Sequence, residues 1–190
     1  MLTNFERKFV DFCCNDIEAK SSFWLFATAE KSAAKRLFAF STFYNHYNDK
    51  TLIKLIKSVP DVNMKGRDGR TLLIHSALYN RIAIAKWLLK NGAAIDEKDM
   101  QGLSALHCAV VSHNCEMAEY LLEQGADVDA RDNFGNTPLM HAGLNVDVIK
   151  LLLDRGADHT LENNFGIGPL KIYEAYPDIL NIFKERVHKQ

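Results

Sequence analysis

The chain has only four cysteines in 190 residues, at Cys13, Cys14, Cys108 and Cys115. That is too few, in a chain too large and too apolar, for the disulfide framework of a small secreted domain. Free thiols in a reducing compartment are expected instead. No run approaches the ~18 apolar residues of a membrane helix. The N-terminal MLTNFERKFVDFCC carries Glu6, Arg7, Lys8 and Asp11, so it lacks the uninterrupted apolar core of a cleavable leader. These features predict a cytoplasmic protein, or one exported without such a leader, and no membrane partner. There is also no excess of positive charge. The net charge is −1, which argues against a nucleic-acid partner. Charge is mildly uneven along the chain, slightly basic before residue 60 and slightly acidic after it. A solvated surface accounts for that.

Signatures of chemistry are missing too. The sequence contains no Gly-x-Ser-x-Gly, no phosphate-binding loop and no His-Glu-x-x-His, and the Gly-Ile-Gly at 166–168 stands without the rest of a nucleotide fingerprint. What it does contain is a rhythm. Gly69, Gly102 and Gly135 are spaced by 33 residues, and Gly166 follows 31 later. Gly92, Gly125 and Gly156 keep the same beat, 33 and then 31. Periods of this size mark stacked repeats.

The segments between the glycines agree with one another. TLLIHSALYNRIAIAKWLLKNGAAID (71–96), SALHCAVVSHNCEMAEYLLEQGADVD (104–129) and TPLMHAGLNVDVIKLLLDRGAD (137–158) each open on Thr or Ser, suited to capping a helix. Each continues as two apolar-patterned helical stretches and closes on a Gly suited to the position just after a helix. The linking segments are rich in Asp, Asn and Gly, as tight turns require. Leu88, Leu89, Leu121, Leu122, Leu151 and Leu152 are predicted to lie on second helices, with at least one of each pair buried. The last of the three units is two residues short around Gly143–Val146, which predicts a tighter turn between its helices.

With Thr-Pro-Leu at 137–139, Leu-His at 106–107, Leu-Leu with Gly-Ala at 121–126 and DVDARDNFGNTPL at 127–139, the chain resembles the ankyrin-repeat family. The resemblance implies an all-α solenoid of stacked helix–turn–helix units with projecting hairpin loops. Its boundaries are a degenerate first repeat at about 37–66, central repeats at 67–99, 100–132 and 133–163, and a C-terminal capping repeat at 164–187. Residues 1–36 do not fit the pattern. Phe5, Phe9 and Phe12 share one helical face, and eight of the eleven phenylalanines precede residue 44. A helical N-terminal cap is the expectation there, and a second docking surface is the alternative.

HCAVVSHNC (107–115) has the residue types of a zinc site or a Cys/His pair. The repeat accounts for them otherwise. His107 falls where the family places a histidine whose ring bridges neighbouring loops. Cys108 lies about 100° further round the helix. Cys115 aligns with Ile82 and Val146, and His113 with Asn80 at the turn between helices. No metal, no cofactor and no catalytic residue is therefore expected. Asp96, Asp99, Asp127, Asp129 and Asp132 recur with the repeat and are expected to cap loops. His75 and His141 are expected to be structural or surface residues.

Stacked repeats leave one long face of loop tips and first-helix positions free. The resemblance implies a non-enzymatic module gripping another folded protein there. Candidate contact residues are Arg67 and Arg70 at the first hairpin, then Met100, Gln101 and Leu103 at the second. Asn133, Phe134 and Asn136 follow at the third, and Phe165 and Ile167 at the fourth. Leu78, Tyr79, Val111 and Ser112 add the first-helix positions. Apolar and aromatic residues with polar neighbours are typical of an interface core. In a plainer reading, Phe134 and Phe165 stack on each other and do nothing else. A small chain of this kind suits inhibition or neutralisation of one partner, as in bacterial immunity against a cognate toxin. A pathogen effector or a scaffold protein is the alternative. Alone, the chain is expected to be a monomer.

Overall fold

The computed structural model describes residues 48–57, 61–66 and 68–187. The expected N-terminal cap, and the start of the degenerate first repeat, lie outside the described residues. Those described form helices and no strand. In chain order the helices are α1 (Asp49–Ile56), α2 (Leu72–Leu78), α3 (Ile82–Lys90), α4 (Ala105–Val111), α5 (Cys115–Glu123), α6 (Pro138–His141), α7 (Val146–Asp154), α8 (Pro169–Ile172) and α9 (Pro177–Val187). Inner helices α2, α4, α6 and α8 stack on one another in turn, and α3, α5 and α7 pack behind the first three.

Each inner helix begins on the residue the period marks. Thr71 Oγ1 accepts from the Ile74 amide at 3.3 Å. Ser104 Oγ accepts from the His107 amide at 3.4 Å, and the Ser104 amide donates to His107 Nδ1 at 3.2 Å. That reciprocal pair satisfies two amide groups that a helix start leaves open. In the third unit Pro138, which has no amide proton to satisfy, takes the first helical position instead. Thr137 Oγ1 there is buried and finds no hydrogen-bond partner among the described residues.

The outer helices end alike. The amides of Ala93, Ala126 and Ala157 reach back to the carbonyls of Leu88, Leu121 and Leu152, at 3.0 Å each. These leucines are fully buried, whereas Leu89, Leu122 and Leu151 are half-buried. The bond that closes each helix thus comes from the residue whose side chain fills the core. At the turn between helices, Asn80 and His113 adopt the left-handed conformation (φ 53° and 57°). Ile82, Cys115 and Val146 each open an outer helix and pack at the edge of the core.

The two missing residues of the third unit come out of the helix and not the turn. Inner helices α2 and α4 have seven residues, and α6 has four. The link to the outer helix is one residue longer than in its neighbours, 142–145 against 79–81 and 112–114. The expected tighter turn is corrected accordingly: α6 stops a turn early at Ala142-Gly143, with Gly143 at φ 58°. At the shortened end the Leu139 carbonyl accepts from the Ala142 amide at 3.4 Å and from the hydroxyl of Tyr173 in the capping unit at 3.0 Å. Tyr173 is 1 % exposed and stacks on Phe183 of α9 at 5.7 Å. The capping unit is therefore tied to the short helix through a buried ring.

Candidate protein-interaction face

Hairpins project from the stack before each inner helix, and in the three that precede α4, α6 and α8 one side chain organises the tip. Asp99 Oδ1 accepts from the amides of Gln101 and Leu103, both at 2.9 Å. Asp132 Oδ1 accepts from those of Phe134 and Asn136, both at 2.8 Å. Asn163 Oδ1 does the same for Phe165 (2.9 Å) and Ile167 (3.1 Å). Asp99 and Asp132 thus hold their loops, as expected of Asx turns, and Asn163 takes the same part in the last one.

Neighbouring tips are then tied together. The Met100 amide donates to the Asp68 carbonyl (3.0 Å), that of Asn133 to Gln101 (3.1 Å), and that of Asn164 to Phe134 (2.9 Å). Asn133 Nδ2 returns a bond to the Met100 carbonyl at 2.8 Å. On one flank, Lys65 and Lys98 donate to the carbonyls of Lys98 and Arg131, and Arg131 donates to that of Glu162. The approach is close enough to require glycine. At Gly102 (φ 81°) a Cβ would stand 2.5 Å from the Asn133 amide nitrogen, and at Gly135 (φ 80°) 2.5 Å from Asn164 Oδ1. The result is a row of tips with a fixed backbone.

On this row Met100 (71 % exposed), Phe134 (56 %) and Phe165 (69 %) stand in solvent. The two phenylalanine rings stack at 6.4 Å and remain exposed while doing so. Gln101 and Asn133 are exposed as well, and Leu103 and Ile167 are half-buried at the hairpin bases. Val111 is exposed at the end of α4, while Leu78, Tyr79 and Ser112 are half-buried. Two candidates are used inside the protein. Arg70 Nε bonds Asp99 Oδ2 at 3.2 Å, and Asn136 Nδ2 bonds Asp132 Oδ2 at 3.0 Å. Arg67 lies outside the described residues.

Sequence reasoning missed three exposed apolar residues on this side: Leu144, Leu170 and Tyr176. Leu144 was within reach. It lies seven residues after its cap Thr137, as Val111 does after Ser104 and Leu78 after Thr71. Counting backward from the outer helix hides that match, because the deletion falls between the two.

The inner helices also show what surrounds the histidines and cysteines of HCAVVSHNC. His107 receives the Ser104 amide on Nδ1, so its proton sits on Nε2, 3.3 Å from the Asn136 carbonyl. Burial is the largest cause that pushes its pKa down, to about 4. His75 is likewise lowered to about 4 by burial. Both rings are neutral in the fold, and His107 has both nitrogens in use. Burial pushes the Cys108 thiol up to about 12, so the free side chain stays a thiol near neutral pH. Cys115 opens the next helix at the core edge. Among the described residues no group of three or more His, Cys, Asp or Glu could hold a metal ion. None of their helices is long and apolar enough to cross a membrane.

Burial alone would raise the Asp132 carboxyl. Bonds from His141 (Nε2 to Oδ2, 2.8 Å), from Asn136 and from the two tip amides outweigh it and hold the group below the usual carboxylate range.

No curated protein sequence matches the chain. Family models do. Ankyrin repeats (three copies) match residues 38–132, and a further ankyrin repeat matches 134–164. With helix pairs, tied hairpins and matched residues covering well over half of its length, the chain belongs to the ankyrin-repeat family, whose members are generally non-enzymatic protein-interaction modules.

Proposed function

We propose that this chain binds one folded partner protein on its hairpin-tip and inner-helix side, and acts by occupying that partner. One observation carries the reading. The exposed large apolar residues among those described are Met100, Val111, Phe134, Leu144, Phe165, Leu170 and Tyr176. All lie on hairpin tips, inner helices or the turns after them, and none on α3, α5, α7 or α9. The outer helices instead expose charged groups such as Lys86, Glu116, Glu119, Lys150 and Asp154. Exposed apolar groups gathered on one side mark an interaction surface, whereas scattered ones do not. Met100, Phe134 and Phe165 also stand on a backbone already ordered by hydrogen bonds, so binding them costs little conformational entropy.

Arg70 and Asn136 have structural work and drop to supporting roles, which leaves Met100, Phe134, Phe165, Val111 and Leu144 as the principal contacts. Inhibition or neutralisation is the mode of action that suits a face whose described residues offer contact area and no catalytic group, and immunity to a toxin is one concrete form of it. The experiment is a paired capture from the native host with wild-type bait and with Phe134→Ala/Phe165→Ala bait. A protein held by the first and lost by the second is then assayed for its own activity with and without the chain. Loss of that activity supports neutralisation. An unaffected activity points to a scaffold, and equal capture by both baits removes the face.

A further inference from the structure

We propose that His141 is a positioning residue of the binding face: from the inner helix it fixes the carboxylate that holds the Phe134 hairpin in place. The proposal rests on the reading of Phe134 as a contact residue, and its geometry comes from comparing three hairpins. In each, one side-chain oxygen accepts two tip amides, at Asp99, Asp132 and Asn163. A carboxylate turns readily about its last side-chain bond, where the torsional wells are broad. The oxygen stays on the amides only if the other end of the group is held. The holder differs at each hairpin.

At Asp99 it is Arg70 Nε, 3.2 Å away and supplied by the preceding hairpin. At Asn163 it is Asn136 Oδ1, which accepts from Asn163 Nδ2 at 2.8 Å. At Asp132 it is His141 Nε2, at 2.8 Å, with Asn136 Nδ2 on the same oxygen at 3.0 Å. The Asp132 side chain is 3 % exposed and that of His141 is 28 % exposed, so the pair sits at the base of the tip, partly out of water. His141 also packs edge-on against His107 at 5.7 Å, and His107 Nε2 bonds the Asn136 carbonyl. Two links therefore join α6 to the hairpin that carries Phe134. Through Asn136 and Asn163 a third link passes to the hairpin that carries Phe165. The tip amides of the Met100 hairpin hang on Asp99 and Arg70, and that hairpin meets the Phe134 hairpin through its carbonyls, where Met100 and Gln101 accept from Asn133.

The test is amide hydrogen exchange, read by NMR on the whole 190-residue chain. His141→Ala is expected to speed exchange at Phe134 and Asn136 about tenfold or more, the opening that losing one charge-assisted hydrogen bond implies. Phe165 and Ile167 should follow with a smaller change, and Gln101 and Leu103 should stay within about twofold, as separate sites do. Arg70→Ala is expected to give the converse pattern. His141→Gln, which keeps a donor near Nε2, is expected to restore most of the protection. If His141→Ala does not fold, His141→Cys makes the same comparison, since Cys108 fills the equivalent place in the preceding repeat. Unchanged exchange at Phe134 and Asn136, or an equal rise at all these amides, overturns the proposal. The measurement needs no partner, so its failure is separate from failure of the binding face.

Discussion

Stability should fall steeply between pH 6.5 and pH 4, and two buried imidazoles set the size of the fall. His75 and His107 are both lowered to about 4, chiefly because burial penalises the charged ring. In the unfolded chain each returns to an ordinary value of about 6.5. Between these limits the unfolded state binds more protons than the folded state, so stability rises with pH there. The contribution is complete above pH 6.5, is lost as pH falls, and levels off below pH 4. At pH 5 the linkage relation gives a loss of about 2 kcal/mol per ring, or about 4 kcal/mol for the pair. That is a large share of the roughly 5–15 kcal/mol that holds a typical domain together. Urea unfolding at pH 7 and pH 5 measures it directly. The repeat itself supplies the control residues: Met140 stands where His107 does one unit earlier, and Cys108 stands where His75 does. His107→Met is expected to remove about half of the pH dependence, and His75→Cys most of the remainder. A midpoint that does not move between pH 7 and pH 5, or a slope unchanged in the double variant, refutes the reasoning.

Three further outcomes follow from the packing. Leu121→Ala empties a fully buried site on α5 and should cost ~2–5 kcal/mol in chemical denaturation; a cost near zero would break the repeat register. Tyr173→Phe removes the hydroxyl that serves the Leu139 carbonyl and should cost about 1–2 kcal/mol, with the loss read in thermal unfolding. Gly102→Ala combines a left-handed backbone with a Cβ 2.5 Å from the next hairpin, and should cost at least about 1 kcal/mol; the same change at Gly125, whose Cβ would meet nothing within 4 Å, should cost less.

The repeat was legible because each unit restates the same physical demands. Cap, buried leucine and hairpin glycine recur at one period, and the structure puts Thr71 and Ser104, Leu88, Leu121 and Leu152, and Gly102 and Gly135 where that period requires. Asn80 and His113 were paired by alignment alone and share a left-handed backbone. What the sequence hid depends on where a side chain turns. Arg70 reads as a rim charge until its guanidinium is seen on Asp99. Asn136 reads as a loop contact until both ends of its amide are found in use. The deletion in the third unit could fall in the helix or the turn, since both keep the period, and only the backbone shows that α6 lost it. His141 reads as a structural or surface residue, and its bond to Asp132 joins residues whose proximity depends on the angle between hairpin and helix.

The central claim is that the hairpin-tip side grips the partner, and its most direct test is a calorimetric titration of the captured partner. Wild-type chain is compared with Phe134→Ala/Phe165→Ala, and both are first shown to unfold at the same temperature. Interface energy concentrates in a few aromatic anchors, each worth ~2 kcal/mol or more. The double variant is therefore expected to bind at least ~100-fold more weakly. Binding at wild-type strength by a folded double variant would contradict the account and move the partner site off this face.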